Sequence, residues 1–413
     1  MQNDADLMAH DRAERAEPAF PFGRPDAPLS PPPEYACLRA NQPLSKVKLW
    51  DDSTAWIATR WEDVRAILGS PFFSVDPFRP GYPSVSPARA VQARSRQAFI
   101  NMDDPDHARF RRMLTKDFMQ KRMSDLRPMV RQFVDELIDR MIEHGPPLDF
   151  IEHFSQPLPS MVISALLGVP YEDHARLGEW STTRNDHTAA PEVVQGAVRN
   201  MEAHLGRIVA QKETDSGDGR DMLSRLVIEQ IQPGHVTREE VVRIASLLYS
   251  AGHGTTGSQI GLGTLSLLMN PAQRAELDAD PSLLAGAVEE MLRFHTIAHF
   301  NSARVATADV TIGGQLIHAG EGVYPLIFAA NRDPDVFPQP DTFDIHRNPQ
   351  EHVAFAYGIH QCLGQPLARL ELHTVFSMLF KRLPELRLAV PVESLAFNST
   401  SQVYRLDALP VTW

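Results

Sequence analysis

The chain has 413 residues and a formal charge of −12, from 40 Lys and Arg against 52 Asp and Glu, which excludes nucleic acid as the expected partner. Its two cysteines, Cys37 and Cys362, are too few for a disulfide framework and fit a reducing cytoplasm. No run of about 18 apolar residues is present to cross a membrane, and the polar, acidic first 16 residues lack the pattern of a signal peptide.

In chain order, residues 17–33 are rich in proline and end in Pro31-Pro32-Pro33, which predicts an extended arm on the surface. A short helix over 35–40 follows. The runs 47–50 and 56–59 flank Asp51-Asp52-Ser53 and read as a hairpin. Residues 70–98 hold Pro, Ser and Arg without periodicity, and so long a loop in a compact domain is usually functional or disordered. From about 106 to 292 the apolar spacing is helical, as in Phe133, Leu137 and Met141. Ile163, Leu166 and Leu167 belong to a helix closed by Gly168-Val169-Pro170. Residues 214–220 form a polar break. The stretch 236–270 reads as one long helix, opened by the capping-box spacing of Thr237 and Glu240 and ended by Asn270-Pro271. Val310-Thr311-Ile312 and Gln315-Leu316-Ile317 enclose Gly313-Gly314 as a tight hairpin. Residues 332–361 are irregular, and 366–383 are helical again. The class is mainly α with minor β.

The most specific run is Phe355-Ala356-Tyr357-Gly358-Ile359-His360-Gln361-Cys362-Leu363-Gly364. A thiol just before a predicted helix meets free backbone N–H groups and the positive end of the helix dipole, which favour a thiolate. This run resembles the haem loop F-x-x-G-x-H-x-C-x-G of the cytochrome P-450 superfamily, in its soluble bacterial type, with every defining position present. The resemblance implies haem b held through the Cys362 sulfur, a ligand that pushes electron density onto iron and favours O–O cleavage. It further implies that Phe355 shields the sulfur, that His360 donates to a haem propionate, and that Gly358 and Gly364 let backbone approach the flat macrocycle.

Other stretches match the same family in its order. Glu290 and Arg293 sit at helix spacing i, i+3 and match E-x-x-R, with Arg347 as the third member of a structural network. His107 and Arg111 match H-x-x-x-R, and with Arg304 they are the expected propionate ligands, since Arg suits carboxylates through paired hydrogen bonds. The neighbours Arg109, Arg112 and Lys116 are the expected docking patch for a ferredoxin-type electron donor. In the long helix, Ala251-Gly252-His253-Gly254-Thr255-Thr256 places two glycines where each costs about 1 kcal/mol relative to Ala. The resemblance implies that Ala251 and Gly252 open an oxygen groove and that Thr255 manages protons. Most members have an acid before that Thr; here it is Gly254, so water in the space it leaves, or His253, is the expected substitute.

The resemblance covers nearly the whole chain and implies a single-domain, triangular helical prism with small β-sheets over 34–413, preceded by the arm 1–33. The expected activity is that of a monooxygenase acting on a small organic substrate, with electrons from NAD(P)H through a reductase and ferredoxin. Expected pocket residues are Leu248, Gly252, Thr256, Ile297, Ala298, Phe300 and Val403, with the 70–98 loop. Two alternatives stay open. One is a nitric oxide reductase-type member, which Leu44-Ser45-Lys46-Val47-Lys48-Leu49-Trp50 also resembles; it would take hydride directly from NADH through a basic cluster for which Arg79 and Arg184 are candidates. The other is a non-enzymatic haem sensor.

Overall fold

The structure, a computed structural model, describes residues 17–24, 28–95, 98–186, 188–299, 302–398 and 403–413. Its main helices, in chain order, are α1 (Pro33–Asn41), α2 (Trp61–Gly69), α3 (Pro87–Ser95), α4 (Asp106–Thr115), α5 (Gln120–His144), α6 (Pro157–Leu167) and α7 (His174–Asn185). They continue with α8 (Pro191–Thr214), α9 (Met222–Leu226), α10 (Arg238–Met269), α11 (Pro271–Ala279), α12 (Leu284–His295), α13 (Ile327–Ala330) and α14 (Gln365–Arg382). The strands that matter for the site are β1 (Leu44–Lys48), β2 (Thr54–Ala58), β3 (Phe73–Ser74), β4 (Leu148–Asp149), β5 (Arg304–Ala306), β6 (Val310–Ile312), β7 (Gln315–Ile317) and β8 (Gly322–Pro325). No described helix is long and apolar enough to cross a membrane.

Helix α10 organises the molecule. The Thr237 hydroxyl accepts from the Glu240 backbone N–H at 3.2 Å, and the Glu240 carboxylate accepts from the Thr237 N–H at 2.7 Å. Two donors that the first turn would leave orphaned are thereby satisfied. Its 32 residues span about 48 Å at 1.5 Å per residue. It packs against α6, α7, α8, α12 and α14, and a cavity opens beside residues 247–256. Apolar residues all round, rather than one stripe, are the sequence mark of such a central helix.

A five-stranded sheet, in the order β1-β2-β8-β5-β3, stands to one side. β1 and β2 pair as the expected antiparallel hairpin, and Val310 opposite Ile317 confirms the hairpin of β6 and β7. Two expectations change. The arm is not only a surface strap: the Phe20 N–H donates to the Lys48 carbonyl at 2.9 Å, and its ring lies 5.3 Å from that of Tyr324 in a buried aromatic cluster. Proline-rich composition hid the effect of two phenylalanines within three residues. The segment 70–98 is also not featureless, for it contains β3 and α3. Helix α3 is made of Ala, Arg and Gln with only Ala88 deeply buried, so it has helix propensity but no apolar stripe to announce it.

Candidate active site

The loop before α14 presents Cys362. The Cys362 N–H donates to the Phe355 carbonyl at 2.9 Å, closing the loop on itself. Gly358 adopts φ +78°, and a Cβ there would lie 2.6 Å from the Leu68 carbonyl oxygen of α2. Its glycine therefore serves the packing of the loop on α2. Gly364 has ordinary backbone angles, and a Cβ there would sit 3.9 Å from the Cys362 sulfur, so the space beside the sulfur is left open. Burial pushes the Cys362 thiol up, opposed by the Gly364 N–H, the Arg111 charge and the Gln365 N–H. A coordinating cation deprotonates such a thiol outright.

Two charged clamps hold this loop. In the first, Arg293 grips both oxygens of Glu290 at 2.7 and 2.8 Å with neither side chain exposed, and the Arg347 Nε donates to the same carboxylate at 3.2 Å. Arg293 also donates to the carbonyls of Asn331 and Pro340 at 2.8 and 2.9 Å. The Asn331 side chain then joins the Thr296 hydroxyl at 2.8 Å to the Val353 N–H at 2.7 Å. The network predicted from E-x-x-R is thus wired to the residues just before the thiol loop. The second clamp escaped sequence reading. Glu289 accepts two bonds from Arg369 at 2.7 and 2.8 Å and one from His352 at 2.9 Å. Burial works against its charge, yet Arg369 and His352 hold the Glu289 carboxyl down to about 2. The Arg369 guanidinium lies 4.7 Å from the Phe355 ring centre, which seats that ring beside the loop. Only the adjacency of Glu289 to Glu290 hinted at it.

Between the thiol loop and α10 lies a chamber of about 190 Å³. Cys362, Phe355 and Gly364 border it on one side and Leu248, Ala251, Gly252, Thr255 and Thr256 on the other. Beside it stand two arginines and two imidazoles, of which only His107 meets a carboxylate among the described residues, Asp104 at 3.3 Å from its Nδ1. His107 is buried on α4 with its Nε2 unpartnered, and the His360 ring, 4.1 Å away, has an unpartnered Nδ1. Burial lowers the Arg111 guanidinium, and no described side chain accepts from it. Arg304 is buried and, among the described residues, donates only to the Ser302 and Ala303 carbonyls, at 3.1 and 3.0 Å. Burial, then the Arg304 charge and His107, push His360 down to about 3. Leaving this many buried donors unmade is costly. A flat cofactor with two carboxylates at one edge and a metal at its centre satisfies them together with the thiol, so the residues fit haem.

On α10, Thr255 donates to the Ala251 carbonyl at 2.6 Å and faces the chamber. Gly252 borders the chamber, but a Cβ there would come within 3.0 Å of the Ile163 side chain, so its glycine admits α6 rather than carving a groove. A Cβ on Gly254 would meet nothing within 4 Å. His253 does not share the chamber. It turns to the opposite face of α10, into a cleft with His174, Gly178 and Arg405, where burial, with the charges of Arg405 and His174, pushes it down to about 4. The helix geometry places it about 100° from its neighbour Gly254, which corrects the proton role expected of it.

The comparisons agree with this geometry. A family model described as Cytochrome P450 matches residues 185–384. Cytochrome P450-SU2 of Streptomyces griseolus is 43% identical, over 97% of this chain and 99% of that protein. Cytochrome P450 55A3 of Fusarium lichenicola is 38% identical, over 96% of this chain and 97% of that protein.

This chain is a cytochrome P450.

The crystal structure of the mycinamicin VIII C21 methyl hydroxylase MycCI from Micromonospora griseorubida superimposes on it with a TM-score of 0.91 and 37% identity, covering 96% of this chain and all of that one. The P450 is a haem-thiolate monooxygenase, so the reading as a non-enzymatic sensor is set aside. Leu248 and Thr256 border the thiol chamber as expected, and Val403 borders an adjoining one. Ile297 and Ala298 border neither: Ile297 packs on the main core and Ala298 pairs with Val403. Phe300 lies outside the described residues. Arg79 is exposed and pairs with Asp103 at 3.5 Å, away from both chambers. The basic patch of α4 is also weaker than its sequence: Arg109 pairs with Glu240 at 2.9 Å and Lys116 with Glu229, while Arg112 has no acidic partner among the described residues.

Proposed function

We propose that this P450 inserts one atom of O2 into a small organic substrate, using electrons from NAD(P)H delivered by a reductase and a ferredoxin in the cytoplasm. The balance is R–H, O2, two electrons and two protons giving R–OH and water. The observation that carries the reading is the thiol chamber walled by Thr255, with open space at the missing side chain of Gly254. Haem held there supplies the activation of O2. His107, Arg111, Arg304 and His360 hold its carboxylates, and Cys362 holds its iron. Phe355 keeps water from the sulfur, which preserves the ligand's electron push. The Thr255 hydroxyl holds a proton at Oγ1, and the void at Gly254 admits water to renew it. Arg112 is the cation left to meet an acidic electron donor.

The experiment compares two electron routes. Holoprotein with NADPH, reductase and ferredoxin should consume O2 when substrate is added. NADH and nitric oxide without oxygen should leave it inert. Rapid NADH oxidation by nitric oxide without ferredoxin would replace this reading with the nitric oxide reductase type.

Gly254 allows a second check. Because its Cβ position is open, Gly254→Glu should melt no lower than the parent, and removing a mid-helix glycine is worth up to about 1 kcal/mol. A carboxyl beside Thr255 should also reduce the peroxide released per NADPH consumed. Gly252→Ala, pressed against Ile163, should melt lower.

A further inference from the structure

The chamber that adjoins the thiol chamber holds two cations without a counter-ion. Arg89 projects from α3 and Arg184 from the last turn of α7, and both line a cavity that shares Leu247, Ala251 and Thr255 with the chamber of Cys362. The two spaces therefore adjoin along one face of α10. The Arg89 guanidinium donates to the Gln92 side-chain oxygen, Arg184 donates to the Ser246 hydroxyl at 3.0 Å, and the Gln92 amide donates to the Arg184 carbonyl at 3.1 Å. These bonds orient the two side chains without neutralising either. Among the described residues no Asp or Glu lines the cavity; Tyr82 and Tyr324 are its other large polar groups.

Both arginines are half-buried, and part of each faces the cavity. Burial lowers both, and burial with the Arg89 charge brings Arg184 to about 10; a guanidinium stays protonated in proteins. Two like charges in one enclosed space oppose folding unless something offsets them. Of the expected partners of the haem carboxylates, His107, Arg111 and His360 line the other chamber, which neither Arg89 nor Arg184 borders. A guanidinium matches a carboxylate through two parallel hydrogen bonds, which makes arginine the side chain suited to hold one.

We propose that Arg89 and Arg184 bind a carboxylate of the substrate, so that this P450 oxidises an organic acid at a carbon remote from its acid group. The proposal rests on the monooxygenase reading, for it is at Thr255, which borders both cavities, that the carbon to be oxidised is received. Anchoring the acid at one end fixes which carbon arrives at the other.

The test titrates holoprotein with medium-chain aliphatic and aryl-alkanoic acids, each beside its methyl ester, followed by calorimetry and by the haem absorption shift. The best-bound acid should bind about tenfold or more tighter than its ester, the scale of a charged hydrogen bond. Arg89→Gln and Arg184→Gln should each erase that preference while leaving ester binding in place. Equal binding of acid and ester in every pair, or an unchanged preference in both variants, overturns the proposal. NADH bound tightly by the parent and lost in Arg184→Gln, with no acid preferred, also overturns it and gives the arginines to a pyrophosphate. The carbon monoxide spectrum of each protein is recorded alongside. A thiolate band in the parent with no acid preference sinks the carboxylate site alone, and a missing band sinks the haem-thiolate reading beneath it.

Discussion

Replacing Cys362 by alanine should abolish the red-shifted Soret band of the reduced carbon monoxide complex and bring substrate oxidation to background. No other described cysteine is near the chamber, since Cys37 is exposed on α1. The side chains expected to hold the haem carboxylates, His107, Arg111, Arg304 and His360, are untouched by the change. Haem uptake should therefore persist in part while the thiolate signature vanishes. That separation is the point of the experiment, because the edge holds the carboxylates and the sulfur supplies the electron push that favours O–O cleavage. A Cys362→Ala protein that kept the band would remove the ligand assignment.

Replacing Glu290 by alanine should cost stability on the scale of about 3–5 kcal/mol, as when one member of a buried ion pair is removed. Arg293 is fully buried, and Arg347 reaches the same carboxylate, so two guanidinium groups lose their partner at once. The Asp344 N–H, which donates to Glu290 at 3.0 Å, is orphaned as well. Against a total stability of about 5–15 kcal/mol, this should leave much of the chain unfolded or free of haem. The measurement is denaturant unfolding together with the fraction of purified protein showing the thiolate band. Glu290→Gln should fail nearly as badly, because its amide turns a donor toward Arg293. An apolar pair at 290 and 293 does not rescue the site, because the carbonyls of Asn331 and Pro340 lose their donor. Wild-type stability in Glu290→Ala would show that the network is ornamental.

Local chemistry made part of this P450 readable before any fold was known. The Phe355 to Gly364 run, the capping box of Thr237 and Glu240, and the hairpin at Gly313-Gly314 are short-range patterns. Their partners lie within ten residues, and their meaning survives without a third dimension. The E-x-x-R pair was readable for the same reason, since one helix turn brings Glu290 to Arg293. The second clamp was not, because Glu289, His352 and Arg369 are joined across 63 and 80 residues of chain.

Direction, rather than spacing, defeated the other readings. His253 and Gly254 are neighbours in sequence, yet only packing against α7 decides that the imidazole leaves the chamber. Arg79 and Arg89 look alike in the 70–98 segment. A carboxylate at Asp103 takes the first to the surface, and α3 turns the second inward to meet Arg184. Composition and motif thus established by themselves the haem-thiolate chemistry and the helical class. Which cations face the substrate cavity was settled only when segments about 90 residues apart, α3 and α7, folded together, because an unpaired charge has meaning only through what surrounds it.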